Sequence, residues 1–242
     1  MSRSGKALSC AAKRKQAGLS MVELMIAMVL GLIVLGSVVN MFLSSSQTYR
    51  LQDAMSRTQE AGRFAMMFML QDLRDAGFQD VLPLANLRSL DVIAVRGYAK
   101  GASGLPADVK SSVTSEVISI PQHQGLSSTG VVSYYVAPDA GGNSSLFRNG
   151  NAVVEGIQDM MFEYGEDTSG DRQADAYVAP GAVTNWANVV AVRLHVLAVA
   201  GDANVVDAAQ ATLAAPFASV STSDKRLYRA FHNTVALRNK MP

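Results

Sequence analysis

The chain has 242 residues, 49% of them hydrophobic, and a formal net charge of +1. That length allows one ordinary domain with an appended element. The charge is unevenly placed: Arg3, Lys6, Lys13, Arg14 and Lys15 precede Leu19 with no acid among them, leaving 16 of the 21 basic residues against 20 acidic ones in the rest. A net-acidic body argues against nucleic-acid binding, which calls for a basic patch. The lone cysteine, Cys10, lies in the basic leader. A chain beginning at Leu19 has no disulfide, so its fold rests on its core.

The first predicted element follows the leader, residues 1–18. Residues 24–43 read LMIAMVLGLIVLGSVVNMFL, without a charge and with one amide, Asn40. About 20 such residues match the hydrocarbon thickness of a bilayer. The basic flank stays on the cytoplasmic side of such a segment, which places the rest of the chain across the membrane. An uncleaved signal anchor fits these facts, whereas a secretory signal is disfavoured by the length of the run and the absence of a small-x-small site at its far end. Neither accounts for Glu23, because a carboxylate entering hydrocarbon is costly unless it is paired.

The helix continues beyond the apolar run. Residues 44–50 contain no proline or glycine. From Leu51 an amphipathic pattern places Leu51, Ala54, Met55, Thr58, Ala61, Ala65, Phe68, Met69, Leu73 and Ala76 on one face, at the spacing of a helix. Gln52, Asp53, Arg57, Glu60, Arg63 and Asp75 take the opposite face. Gly77 supplies a C-terminal stop, with Pro83 soon after. The reading is one helix over 19–77, with 19–43 apolar all round and 44–77 packed along one stripe. Gly31, Gly36 and Gly62 are soft points or close-packing sites.

Residues 78–242 read as short strands separated by turn-rich segments such as 97–108 and 138–145. The predicted strands are Asp91–Val95, Glu116–Ile120, Val131–Ala137, Leu146–Arg148, Met160–Tyr164, Val189–Ala200 and Leu227–Arg238. In the clearest, Val190, Val192, Leu194 and Val196 share one face, opposite Arg193 and His195. Residues 201–224 form an irregular excursion before the last strand. The fold class is α+β, one long helix laid on an antiparallel sheet.

Candidate sites are few. Asp167, Asp171 and Asp175 supply hard oxygen ligands on a flexible turn that suits calcium. Their spacing is not that of an EF-hand and Arg172 sits among them, so an acidic solvated turn is the preferred reading. His123, His195 and His232 lack paired metal-ligand spacing, and no mature cysteine supports zinc. No nucleophile elbow or phosphate-cradling glycine loop is present, so catalysis finds no support. Trp186 reads as a core anchor rather than an interface contact. Met66, Met67 and Met69 read as helix–sheet packing.

The segment Lys15-Gln16-Ala17-Gly18-Leu19-Ser20-Met21-Val22-Glu23-Leu24 resembles the cleavage and assembly signal of type IV prepilins. Scattered body segments, Phe68–Phe78, Ile157–Gly165, Trp186 with Val189–Leu194, and Phe231–Asn239, resemble the PilW group of minor pilins. The resemblance implies a pilin fold and cleavage by prepilin peptidase between Gly18 and Leu19. It further implies N-methylation of Leu19, where the family usually has phenylalanine, and pairing of Glu23 with the N-terminal amine of a neighbouring subunit. It implies a non-enzymatic protein without cofactor, held in the inner membrane with its N-terminus cytoplasmic and its body periplasmic. From there it would pass to the pilus at the cell surface. The implied partners are other minor pilins, the major pilin and a tip adhesin, in a complex that primes assembly. A minor pseudopilin of type II secretion shares these features. A signal-anchored periplasmic sensor is a third reading, and it expects no cleavage at Gly18.

Overall fold

The computed structural model describes residues 20–76, 95–124, 128–210 and 212–237, with the side chains of 121–124 and 128–130 outside the description. Gly18, Leu19, Cys10, Gly77, Pro83, most of the predicted strand Asp91–Val95, the His123 side chain and Arg238 therefore lie outside the described residues.

One helix, α1, runs Met21–Arg74. Two compact units divide at Thr48/Tyr49, within that helix. In the first unit every residue from Ser20 to Leu43 is exposed, and the helix is long and apolar enough to cross a membrane. Two of its hydroxyls bond back within the helix: Ser37 Oγ donates to the Ile33 carbonyl at 2.9 Å and Thr48 Oγ1 to that of Ser44 at 3.0 Å. Such back-bonding suits a helix in lipid, where an unpaired polar group is costly.

Among the described residues, the second unit contains the rest of α1 and nine strands: β1 Arg96–Tyr98, β2 Val117–Gln124, β3 Ser128–Pro138, β4 Ser144–Arg148, β5 Asn151–Glu155, β6 Ile157–Glu166, β7 Ala176–Val178, β8 Val189–Val199 and β9 Tyr228–Ala236. They form two antiparallel sheets, ordered β1-β2-β3-β4-β5 and β7-β6-β8-β9. The sequence alone led us to expect one sheet. The break falls at Gly156 (φ 76°), where the chain turns between β5 and β6.

One core joins α1 to both sheets, with Ala65, Met69 and Leu73 against Ile118, Val132, Tyr134, Leu146, Phe162, Val192 and Leu194. The buried stripe of α1 is Ala54, Thr58, Gly62, Ala65, Met66, Met69, Asp72 and Leu73. Met55, expected inside, is exposed, and so is Met67. Gly62 takes a place on the stripe because a Cβ there would collide with the Phe231 ring of β9.

The second face of each sheet is partly covered as well, so β3 is buried from Val132 to Ala137 and β8 is buried except at Arg193 and His195. Behind β3 and β4, Tyr135 stacks on Phe147 at 5.2 Å, Lys110 Nζ sits 4.0 Å over that ring, and the Tyr135 hydroxyl donates to the Asp108 carbonyl. Behind β8, the 201–224 excursion inserts Phe217 into a small cluster with Leu197, Val199 and Tyr228.

Candidate functional site

Glu23 stands in the first turn of α1, the only acid there, and the Leu24 amide donates to the Ser20 carbonyl at 3.1 Å. Ser20 and Glu23 thus hold capping-box spacing, and an acid at this end of a helix is favoured by the helix dipole. The exposed apolar side chains that follow, Leu24 to Leu43, make Glu23 the sole ionisable group of the first unit's described helix up to Thr48.

Asp167, Asp171 and Asp175 lie on the loop joining β6 to β7. Asp175 Oδ2 accepts from the Thr168 and Ser169 amides at 2.7 and 2.9 Å and from the Thr168 hydroxyl at 2.8 Å. Asp167 accepts from the Gly170 and Arg172 amides at 2.6 and 2.8 Å, and Asp171 from the Gln173 amide at 2.9 Å. Hydrogen bonds from the loop hold the Asp175 carboxyl below its ordinary range. The Asp167 carboxyl is also lowered: partial desolvation opposes the shift, and the Gly170 and Arg172 amides outweigh it. The carboxylates fold the loop around themselves. Among the described residues no group of three or more His, Cys, Asp or Glu is arranged to hold a metal ion.

Three further polar joints were not anticipated. In the first, Asp72 of α1 pairs with Arg148 of β4, at 2.8 Å from Nε and 3.2 Å from Nη2, and accepts from the buried Tyr134 hydroxyl of β3. Burial and the neighbouring Asp72 both push the Tyr134 hydroxyl upward. The second joint is Glu116, which accepts the Phe162 amide of β6 at 2.8 Å and is pushed up to about 7, mainly by burial. The third is Glu166, whose Oε1 accepts the amides of Thr184 and Asn185 and the Thr184 hydroxyl, which together lower it.

The outer face of β6 and β8 carries Glu163, bound to Arg193 Nη1 at 2.8 Å with His195 Nε2 at 3.5 Å, while the Arg193 guanidinium lies over Tyr177. His195 faces His232 across β8 and β9. His195 thus occupies the outer strand face expected of it. Trp186 is half-buried and meets the Tyr164 ring edge-on at 4.9 Å, so it anchors a rim of the core.

Residues 133–239 match the family model described as Type IV Pilus-assembly protein W, and residues 13–39 match the prokaryotic N-terminal methylation motif. No curated protein matches the chain. Among solved structures, a type IV-like pilin from Thermus thermophilus is similar at 16% identity and a TM-score of 0.40, over 80% of this chain and 99% of that one.

Proposed function

We propose, from the premise that this chain is a PilW-type type IV pilus-assembly protein with an N-terminal methylation motif, the following route from synthesis to filament. The chain is a minor pilin that takes part in type IV pilus assembly, and its apolar N-terminal helix anchors it in a membrane. It is made as a prepilin, cut between Gly18 and Leu19 by prepilin peptidase and methylated on the Leu19 amine. Until assembly it sits in the inner membrane with its N-terminus cytoplasmic and its body periplasmic. It then joins other minor pilins in a complex that primes the filament, in contact with the major pilin and a tip adhesin.

The observation that carries this reading is Glu23, a lone carboxylate in the first turn of a helix whose next twenty residues are exposed and uncharged. A carboxylate in hydrocarbon selects for a cationic partner at a fixed axial offset. The methylated amine of a neighbouring subunit supplies that partner. The body serves as an assembly module and no catalytic role is assigned to it.

The test is intact mass and N-terminal sequence of the membrane-extracted protein, from cells with and without prepilin peptidase. A chain that starts at methylated Leu19 only when the peptidase is present supports the reading. A Met1 start in both strains overturns it.

A further inference from the structure

Among the described residues the two sheets present four edge strands. Three are short: β1 and β7 have 3 residues each and β5 has 5. The fourth, β9, has 9 residues and an unbroken register against β8 from Ala191↔Ala236 to Val199↔Tyr228. Long, regular edges are usually blunted by prolines, lysines or bulges, because their open amides and carbonyls recruit another strand. β9 has none of these devices.

The ladder fixes which groups face outward. Leu237 donates to the Val190 carbonyl at one end, and Ala200 donates to the Leu227 carbonyl at the other. Odd-numbered residues of β9 therefore bond to β8, and Tyr228, Ala230, His232, Thr234 and Ala236 aim their amides and carbonyls away from it. The Gln210 side-chain amide occupies the first of these positions as a neighbouring strand would. Its Oε1 accepts the Tyr228 amide at 2.6 Å and its Nε2 donates to the Tyr228 carbonyl at 3.2 Å. The Thr234 amide donates to Asn233 Oδ1. Ala230 and His232 are exposed, and their outward amides and carbonyls have no partner among the described residues.

A groove of about 680 Å³ runs between this edge and α1. Met66, Met67, Leu70 and Phe231 are its apolar lining, and Arg63 and Arg74 stand on its helix side with Asp75 as the one acid. Neither arginine is in a salt bridge among the described residues. An open strand edge beside a helix-walled apolar groove is the geometry that binds extended peptides by strand addition.

We propose that this edge and groove accept an extended segment of another protein as a fifth strand of the second sheet. On the side that faces the helix, the segment carries apolar residues, which cover Met67, Leu70 and Phe231, flanked by acidic ones that meet Arg63 and Arg74. Charge selects this occupant over a second copy of the chain. β9 itself carries Arg229 and no acid, so a second β9 laid along this edge would leave the groove arginines unneutralised.

The test uses the full mature chain in detergent and a fluorescein-labelled, end-blocked valine–glutamate decapeptide, with threonine at the even positions and, at the odd ones, three valines flanked by two glutamates; its valine–lysine counterpart has lysine for both glutamates. Anisotropy titration is expected to show saturable binding, about 10-fold weaker for the valine–lysine peptide and for Arg74→Glu. The valine–glutamate peptide with alternate amides N-methylated should lose binding. His232→Pro should also abolish it while leaving the melting temperature near that of the parent, since the lost amide faces away from β8. Arg63→Glu, which leaves the strand untouched, guards against a folding defect in the proline variant. No saturable binding, equal affinity for the two charge types, or full binding by a folded His232→Pro chain would overturn the proposal. So would self-association of the free chain that His232→Pro removes, because the edge would then serve a second copy.

Discussion

Asp72 is the residue whose loss should be felt most in the body. Its side chain is 12% exposed, Arg148 is 36% exposed and the Tyr134 hydroxyl is fully buried. Removing one partner of a buried ion pair costs about 3–5 kcal/mol. Arg148 can still reach water, which lowers its share to about 1–2 kcal/mol. The Tyr134 proton, stranded inside, adds about 1–2 kcal/mol. Asp72→Ala should therefore destabilise the body by about 2–4 kcal/mol, out of a typical total of about 5–15. For a body of this size that is roughly 5–15 °C in melting temperature. Trp186, the only tryptophan, reports the transition through its contact with Tyr164. Asp72→Asn should cost less, since its amide oxygen still accepts from Tyr134. Combining Asp72→Ala with Arg148→Met should recover part of the loss, because no charge is then left behind. A single variant within about 0.5 kcal/mol of the parent, or strictly additive single effects in the double-mutant cycle, would refute the reasoning.

Glu116 gives a pH signature of known sign. Its carboxyl is raised in the folded state, so its stabilising contribution is complete below about pH 4.5 and disappears as pH rises through about 7. Glu116→Gln keeps an acceptor for the Phe162 amide and should raise stability at pH 8 by about 1–2 kcal/mol, after allowance for partial exposure. At pH 4 the two chains should melt together, and a gap that does not change with pH would reject the assignment. Glu23→Ala should be processed normally yet be missing from sheared pili in an immunoblot; normal incorporation would rule out charge pairing as the basis of assembly. Calcium should leave the melting temperature of the chelator-treated protein unchanged, because a cation must displace the amides already bound to Asp167 and Asp175. A calcium-dependent rise would instead show binding to the folded state.

The long helix was legible because two patterns, apolar all round and then one stripe, extend without interruption from Leu24 to Leu73. The strands around Val132, Phe162 and Leu194 were equally plain as apolar runs. β5 was legible but missed: Asn149-Gly150, both at positive φ (49° and 79°), is a hairpin signal lying between Leu146–Arg148 and Asn151–Glu155. β1 and β7 have three residues each, too few for any periodicity to register. Asp72 also left a trace. It falls on the apolar stripe between Met69 and Leu73, and an acid in that position implies a buried cation. The identity of that cation was not readable, since Arg148 is 76 residues away and only the sheet topology brings it near. Glu116 carries no local signal, because its burial depends on β6 passing beside it.

These polar joints share a logic that bears on what the body does. Asp72 ties the helix to the first sheet, Glu116 ties the segment before β2 to β6, Glu166 fastens the 184–185 turn, and Gln210 fastens the 201–224 excursion to β9. In each case an acid or amide of one element satisfies a group on another that folding would otherwise strand. Among the described residues these groups are dispersed between elements and do not converge on one cavity. Here burial of polar groups has gone into rigidity, and the long open backbone edge is left at β9. A minor pilin has to hold its shape while neighbours bind to it, and dispersed joints with one accessible edge meet that need.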